Sequence, residues 1–324
     1  MTQNSRRFDM VTLGDLVVDF IVGVERFPIR PGEHQLSSRQ VLEAGGAANL
    51  LIAGSRIGLK CGALARLGDD IYARFLVEAL AEEGVDVSGV ACRPEWHTTV
   101  AVVLVAPGGE HVFIGGGAGY PDQELPQSWR ALIHQSRVLF VEGYAFTDLS
   151  PALVLEAVKA AQEAGTILFF DPGPQFEPVV AEALAETVAA SQVLLLTQEE
   201  AQELTGLADP RAAAEHFRRQ GPAWVVIKQG AQGCLLHSEA ETVQVPAFPV
   251  TVRDPVGAGD SFDAGMVYAY LHGLSLAEAG RLANAMGAAT VSHVGAGRNV
   301  ARKEEVTALL GGWPRKVDRE RLPR

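Results

Sequence analysis

Cysteine is scarce in this chain: Cys61, Cys92 and Cys234 lie far apart, with no Cys-x-x-Cys pair. A disulfide framework and a zinc ribbon are therefore not expected, and a reducing, cytoplasmic compartment is. The eight histidines never fall four apart, so the helical His-x-x-x-His arrangement of a built-in transition-metal site is missing. Long hydrophobic runs are missing too. The apolar stretch near the N-terminus is broken by Asp15 and Asp19, which neither a signal-peptide core nor a membrane span would tolerate. Basic charge is short: 27 Lys and Arg face 39 Asp and Glu, a formal charge of -12. Such a field repels nucleic acid and anionic membranes unless a basic stripe opposes it. The densest basic group, Arg315, Lys316, Arg319, Arg321 and Arg324, lies in a polar tail, 312–324, interleaved with acids, so neither partner is expected. No fixed-period repeat, low-complexity block or Pro/Ser linker divides the chain. All 324 residues are expected to form a single domain.

What is present is an alternation of short apolar runs and amphipathic segments. Strands are expected over 10–13, 16–24, 60–67, 138–141, 167–170, 193–196 and 224–227. Helices are expected from 47, and over 69–83, 149–164 and 178–190. Two short helices should precede Arg219, and two or three should fill 258–310. Runs such as Leu168-Phe169-Phe170 are continuous rather than alternating, as in strands buried on both faces, so the sheet should be mainly parallel. Two stretches break the rhythm. Residues 25–42 hold Pro28, Pro31 and Gly32, and 98–114 carry a hairpin pattern around Pro107-Gly108-Gly109. Paired, they would form a small second layer, a lid.

The most informative string is Asp254-Pro255-Val256-Gly257-Ala258-Gly259-Asp260-Ser261-Phe262-Asp263-Ala264-Gly265. Pro255 and the glycines predict a tight turn, and Phe262, Met266 and Tyr270 then recur at helical spacing, so a helix begins near Ala258. Unpaired N–H groups and the positive dipole end at such a start cradle phosphate. Asp260, in the first turn, could accept a hydroxyl proton beside a transferring phosphoryl group. Taken alone, a Gly-x-Gly-Asp string is also a common strand-to-helix turn.

The longer string resembles the C-terminal signature of the ribokinase family, the phosphofructokinase B type of carbohydrate and nucleoside kinases. Ala44-Gly45-Gly46-Ala47-Ala48-Asn49 resembles the family's N-terminal glycine-rich signature, with Ala44 where many members carry a further glycine. The similarity runs from Gly14 through Leu67-Gly68-Asp69-Asp70, Glu83-Gly84-Val85-Asp86 and Lys228-Gln229-Gly230 to Ala283-Asn284-Ala285. Neither a Walker A string nor a Gly-x-Gly-x-x-Gly opening after the first strand is present.

The resemblance implies a three-layer α/β domain, with a central, mainly parallel sheet flanked by helices. A small β-sheet lid would come from about 15–45 and 98–118. It implies Asp260 as catalytic base and Gly257, Ala258 and Gly259 as anion hole for the γ-phosphate of ATP. Asp19, Gly45, Gly46 and Asn49 would line the sugar, and Glu142 matches a position that contacts it in some members. Lys228, Gly230 and Gly233 match a loop near the nucleotide phosphates, and Asn284 a position near base or ribose. Glu200 matches the acid that orients Mg²⁺ through water, although Thr197 stands where that motif has Asn. Asp254, the carbonyl of Val256 and Gly295 match a monovalent-cation site, which leaves the need for potassium open. In Asp171-Pro172-Gly173-Pro174-Gln175, Gly173 replaces a frequent Asn, which bears on substrate identity.

Three readings follow. The first is an ATP-dependent kinase acting on a small carbohydrate or sugar acid. The second is a nucleoside kinase of the same fold, whose base could stack on Phe27 or Phe113. The third is a sugar- or nucleotide-binding regulator without turnover, against which Asp260 argues, because a binder needs no base there. Exposed lid edges favour pairing, so a homodimer through the lid is a further expectation.

Overall fold

The computed structural model describes residues 6–107, 110–115, 124–174 and 180–314. Gly108, Gly109, the lid positions 116–118, Gln175, Pro178 and tail residues 315–324 lie outside them.

The first half of the chain runs β1 (Phe8–Leu13), β2 (Leu16–Gly23), β3 (Arg39–Gly46), α1 (Ala47–Arg56), β4 (Cys61–Gly68), α2 (Ile71–Glu82), β5 (Asp86–Arg93), β6 (Val100–Val105) and β7 (His111–Ile114). Next come α3 (Gln127–His134), β8 (Ser136–Glu142), α4 (Ala145–Asp148), α5 (Pro151–Ala164), β9 (Ile167–Asp171), α6 (Ala181–Ala190) and β10 (Val193–Thr197). The chain continues through α7 (Gln198–Thr205), α8 (Pro210–Arg218), β11 (Trp224–Lys228), β12 (Cys234–His237) and β13 (Thr242–Val245). It closes with α9 (Ala258–His272), α10 (Leu276–Val291) and α11 (Lys303–Leu310).

Nine strands form one sheet, ordered β13-β12-β11-β10-β9-β8-β1-β4-β5. Every neighbouring pair from β5 to β11 is parallel, and β12 and β13 add an antiparallel edge. Alternation along the buried strands divides the core in two. Met10, Phe140, Phe169 and Leu195 face α1, α2, α9 and α10, whereas Val11, Val141, Phe170 and Leu196 face α3, α5, α6 and α8. The result is helix, sheet, helix, as expected of an α/β domain.

A separate four-stranded sheet is ordered β3-β2-β6-β7. The expected 16–24 strand, β2, belongs to it rather than to the large sheet, pairing antiparallel with β3 and parallel with β6. The 25–42 stretch is mostly irregular, since strand begins only at Arg39. Its two prolines and Gly32 resist a ladder. The hairpin is present as antiparallel β6 and β7. Sequence reasoning did not anticipate β5, α3 or α4. All three cysteines are free, Cys61 and Cys234 buried and Cys92 exposed. Among the described residues no helix is long and apolar enough to cross a membrane.

Candidate active site

Parallel strands end on one side of the sheet, so the residues just past their carboxyl ends converge. Asp15 follows β1, while Glu142, Asp171, Thr197 and Lys228 end β8, β9, β10 and β11. Register holds them level, with Leu13 opposite Val141, Glu142 opposite Asp171 and Thr197 opposite Lys228. The chain crosses the sheet from β1 to β4 and β5 in one direction, and from β8 to β11 in the other. Open α/β sheets bind ligands beside such a reversal.

A cavity of about 620 Å³ opens there. Strand ends form its floor, Gly257, Gly259 and Asp260 one wall, and Val17, Asp19, Ala101 and Phe113 of the small sheet another. Gly46 and Asn49 also line it. Gly45 is required beneath Asp19, because a Cβ there would collide with the Asp19 carboxylate. Phe27 is not among the lining residues, whereas Phe113 is.

Asp260 sits in the first turn of α9, with Gly257 as N-cap. Its Oδ2 accepts from Asn49 Nδ2 at 2.9 Å, and Asn49 Oδ1 accepts from the Gly297 N–H at 2.7 Å. Asn49 thus spans the base candidate and the loop before α11. Burial pushes the Asp260 carboxyl up to about 6, against the Asn49 hydrogen bond and Lys228, which lower it. Asp19 is pushed up to about 7, by burial first and then by Asp260 and Glu43. At the helix start the Ala258 N–H turns back to Pro255 O at 3.2 Å. Among the described residues the Gly257 and Gly259 N–H groups have no such backbone partner.

Lys228 Nζ lies 2.5 Å from Asp171 Oδ2 and 3.4 Å from Asp263 Oδ2. Burial works against its charge, but Asp171, Asp263 and Glu200 outweigh that and raise its pKa. Asp171 is lowered in turn: burial raises it, but the Lys228 charge together with hydrogen bonds from Lys228, Asp263 and the Gly173 N–H outweighs that. Asp263 is raised by burial, with the Asp171 carboxylate adding to it. Glu200 forms a capping box on α7: its Oε2 accepts from the Thr197 N–H at 2.7 Å, and Thr197 Oγ1 accepts from the Glu200 N–H. It still lines the cavity.

A second cavity, of about 480 Å³, shares Lys228 and Gly259 with the first. Gly230 and Gly233, Phe248 and Pro249, Ala258 and Phe262, and Asn284 of α10 line it. Asn284 Nδ2 donates to the carbonyls of Val245 and Pro246, both at 3.1 Å, tying α10 to the segment after β13. Asp254, Val256 and Gly295 come together: Asp254 Oδ1 accepts from the Val256 N–H at 3.0 Å, and Oδ2 from the Gly295 N–H at 2.9 Å.

The structure adds acids to the first cavity that sequence reasoning gave no role: Asp15, Asp148, Asp171 and Asp263. Two of them stood at a readable place, the carboxyl end of an apolar run predicted as strand, where α/β sheets put their ligands. Asp148, on the short α4, carried no comparable signal.

Two cavities that meet at a glycine-rich helix start, above the carboxyl ends of a parallel sheet, make a site for a phosphate-bearing ligand beside a second small molecule. The model of the pfkB family carbohydrate kinases matches residues 7–303, and the chain belongs to that family. It is 26% identical over 310 residues to a nucleoside kinase of Methanothermobacter thermautotrophicus, covering 94% of this chain and 96% of the other. It is 27% identical over 313 residues to a ribokinase of Haemophilus influenzae, covering 94% and 99%. Among solved structures, the Arabidopsis thaliana ribokinase complexed with ribose and ATP superposes with a TM-score of 0.83 at 24% identity, covering 94% of this chain and 98% of the other. That likeness shows the fold.

Proposed function

We propose that this chain transfers the γ-phosphoryl group of ATP to a hydroxyl of a small carbohydrate. The acceptor occupies the 620 Å³ cavity and the nucleotide the 480 Å³ one. The observation that carries this reading is their junction, where Gly259 and Lys228 belong to both and Asp260 stands beside them. A phosphate held at that junction faces an acceptor on one side and has its leaving group on the other, the in-line geometry that phosphoryl transfer needs.

The chain's residues divide the work. Asp260, deprotonated above about pH 6, takes the proton of the attacking hydroxyl. Asn49 fixes the orientation of that carboxylate. The Gly257 and Gly259 N–H groups, and Ala258 once its weak turn contact opens, point at the charge that builds on the transferring phosphoryl. Lys228, clamped by Asp171 and Asp263, supplies positive charge between the cavities. Asp19, Gly45 and Gly46 position acceptor hydroxyls, with Glu142 beside them. Gly230, Gly233 and Asn284 shape the nucleotide side. Mg²⁺ entering with ATP would neutralise phosphate charge, and Glu200, with Asp171 nearby, fits an acid that holds it through water. Asp254 gathers Val256 and Gly295 into a compact turn behind the anion hole, a place suited to a monovalent cation.

The small sheet serves as a lid over the acceptor, limiting water and wasteful ATP hydrolysis. Its edge strand β7 is exposed throughout, including Phe113 and Ile114, which favours pairing with the lid of a second copy. A monomeric mass in solution at micromolar concentration would argue against that pairing. Phe113 on the cavity wall supports a second reading, a nucleoside acceptor whose base stacks there.

ADP release with Mg-ATP across pentoses, hexoses, sugar acids and nucleosides tests the proposal, with Asp260→Asn beside the wild type. Turnover with one acceptor class, abolished in the variant, is the expected result. Undiminished turnover in Asp260→Asn would sink the mechanism. Nucleotide binding without turnover on any acceptor would favour a regulator.

A further inference from the structure

The acceptor cavity gathers far more carboxyl groups than cations. Asp15, Asp19, Glu142, Asp148 and Asp260 line it, and Lys228 is the one Lys, Arg or His among the described lining residues. Lys228 is already held by Asp171 and Asp263. One of these acids is a buried acceptor without a donor. Glu142 is only 9% exposed, lines the cavity and makes no hydrogen bond to a described residue. Native folds leave few buried polar groups without a partner. Glu142 leaves that partner to what the cavity holds.

The acids also repel one another. Asp15 is pushed up to about 8, by burial first and then by Asp148, Asp260 and Asp19. Glu142 is raised by burial and by Asp15, and burial pushes Asp148 up to about 6. A neutral hydroxyl offers each acid a single donor, and a carboxylate or phosphate on the ligand would add to the repulsion. An ammonium offers three donors and a positive charge.

We propose that the phosphoryl acceptor carries a protonated amine, seated between Asp15, Glu142 and Asp148. This deepens the kinase reading and rests on it for the word acceptor. The site thereby selects amino-substituted carbohydrates or nucleosides over their sugar-acid counterparts.

The test separates charge from shape and does not depend on turnover. Calorimetry on the full chain compares tris(hydroxymethyl)aminomethane, cationic at pH 7, with pentaerythritol, its neutral isostere. The cation is expected to bind at least tenfold more tightly, about 1.4 kcal/mol. In Asp15→Asn and Asp148→Asn, each checked for folding by its melting temperature, that ratio should fall toward one. In parallel, ADP release with glucosamine, glucose and glucuronate should rank amine, neutral, acid. Equal binding of the two isosteres, heat from neither, or preference for the acid overturns the inference. ADP release without any preference for cations would leave the kinase reading standing and remove this inference alone. A cation preference without ADP release on any acceptor would do the reverse.

Discussion

The two cavities meet at Gly259 and Lys228, yet they are built from opposite materials. Among the described residues eight carboxylates line the first, from Asp15, Asp19, Glu142, Asp148, Asp171, Glu200, Asp260 and Asp263, whereas no acid lines the second. Glycines, alanines, prolines, Phe248 and Phe262 make up most of the second wall, and Asn284 is bound to the main chain. The difference follows from what each ligand asks of the protein. A polyphosphate and a flat base are served by backbone N–H groups and apolar surface, and acids nearby would repel them. A hydroxyl-bearing acceptor must be oriented and deprotonated, which takes carboxylates. Lys228 is the hinge of this contrast, a cation that keeps the acids of one cavity compatible with the phosphates of the other.

The largest break in this contrast should come from Asp260→Asn. Removing the base is expected to lower kcat by about 10²–10⁴-fold, with nucleotide and acceptor affinities by calorimetry changing far less. An activity within a few-fold of wild type would contradict it. Lys228→Met strips the cation from Asp171 and Asp263, and breaking a buried pair of this kind costs about 3–5 kcal/mol. Urea unfolding should register that loss, and turnover should fall with it.

Two glycines separate the cavities more finely. At Gly233, φ is +94° and a Cβ would collide with Val245 O, so Gly233→Ala is strained by about 1–3 kcal/mol and should raise the KM for ATP. Gly45→Ala instead displaces the Asp19 carboxylate and should raise the KM for the acceptor while sparing that for ATP. If both variants moved the same KM, the division of labour would be wrong.

The smallest effect is in pH. Asp260 titrates near 6 because burial raises it; below that pH it is protonated and cannot accept, so kcat should fall as pH drops through about 6 and level off above. Asn49→Ala removes a hydrogen bond that lowers the pKa, so the acid limb should move to higher pH. A limb that stays in place would show that Asn49 does not tune the base.

Much of this was readable in the sequence, for physical reasons. Continuous apolar runs such as Val193 to Leu196 are buried on both faces of the large sheet, and 254–265 carries turn, helix start and acid within one short string. What escaped was weakly patterned. Edge strand β5 is half exposed, and Gly89 is its one buried residue, so no apolar run marked it. The short helix α3 buries only Trp129, Leu132 and Ile133. Asp15, Asp148 and Asp171 join the cavity from three elements far apart in sequence, and only the fold brings them together. The capping use of Glu200 and the second anchor of Asn49 on Gly297 likewise depend on three-dimensional neighbours.

The division between an acid-lined acceptor cavity and an acid-free nucleotide cavity is tested most directly by a crystal structure with Mg²⁺ and a non-hydrolysable ATP analogue. The base is expected between Phe248 and Asn284, with the terminal phosphate at Gly257 and Gly259 within reach of Lys228. A nucleotide seated among Asp15, Glu142 and Asp148, or phosphates away from the start of α9, would contradict it.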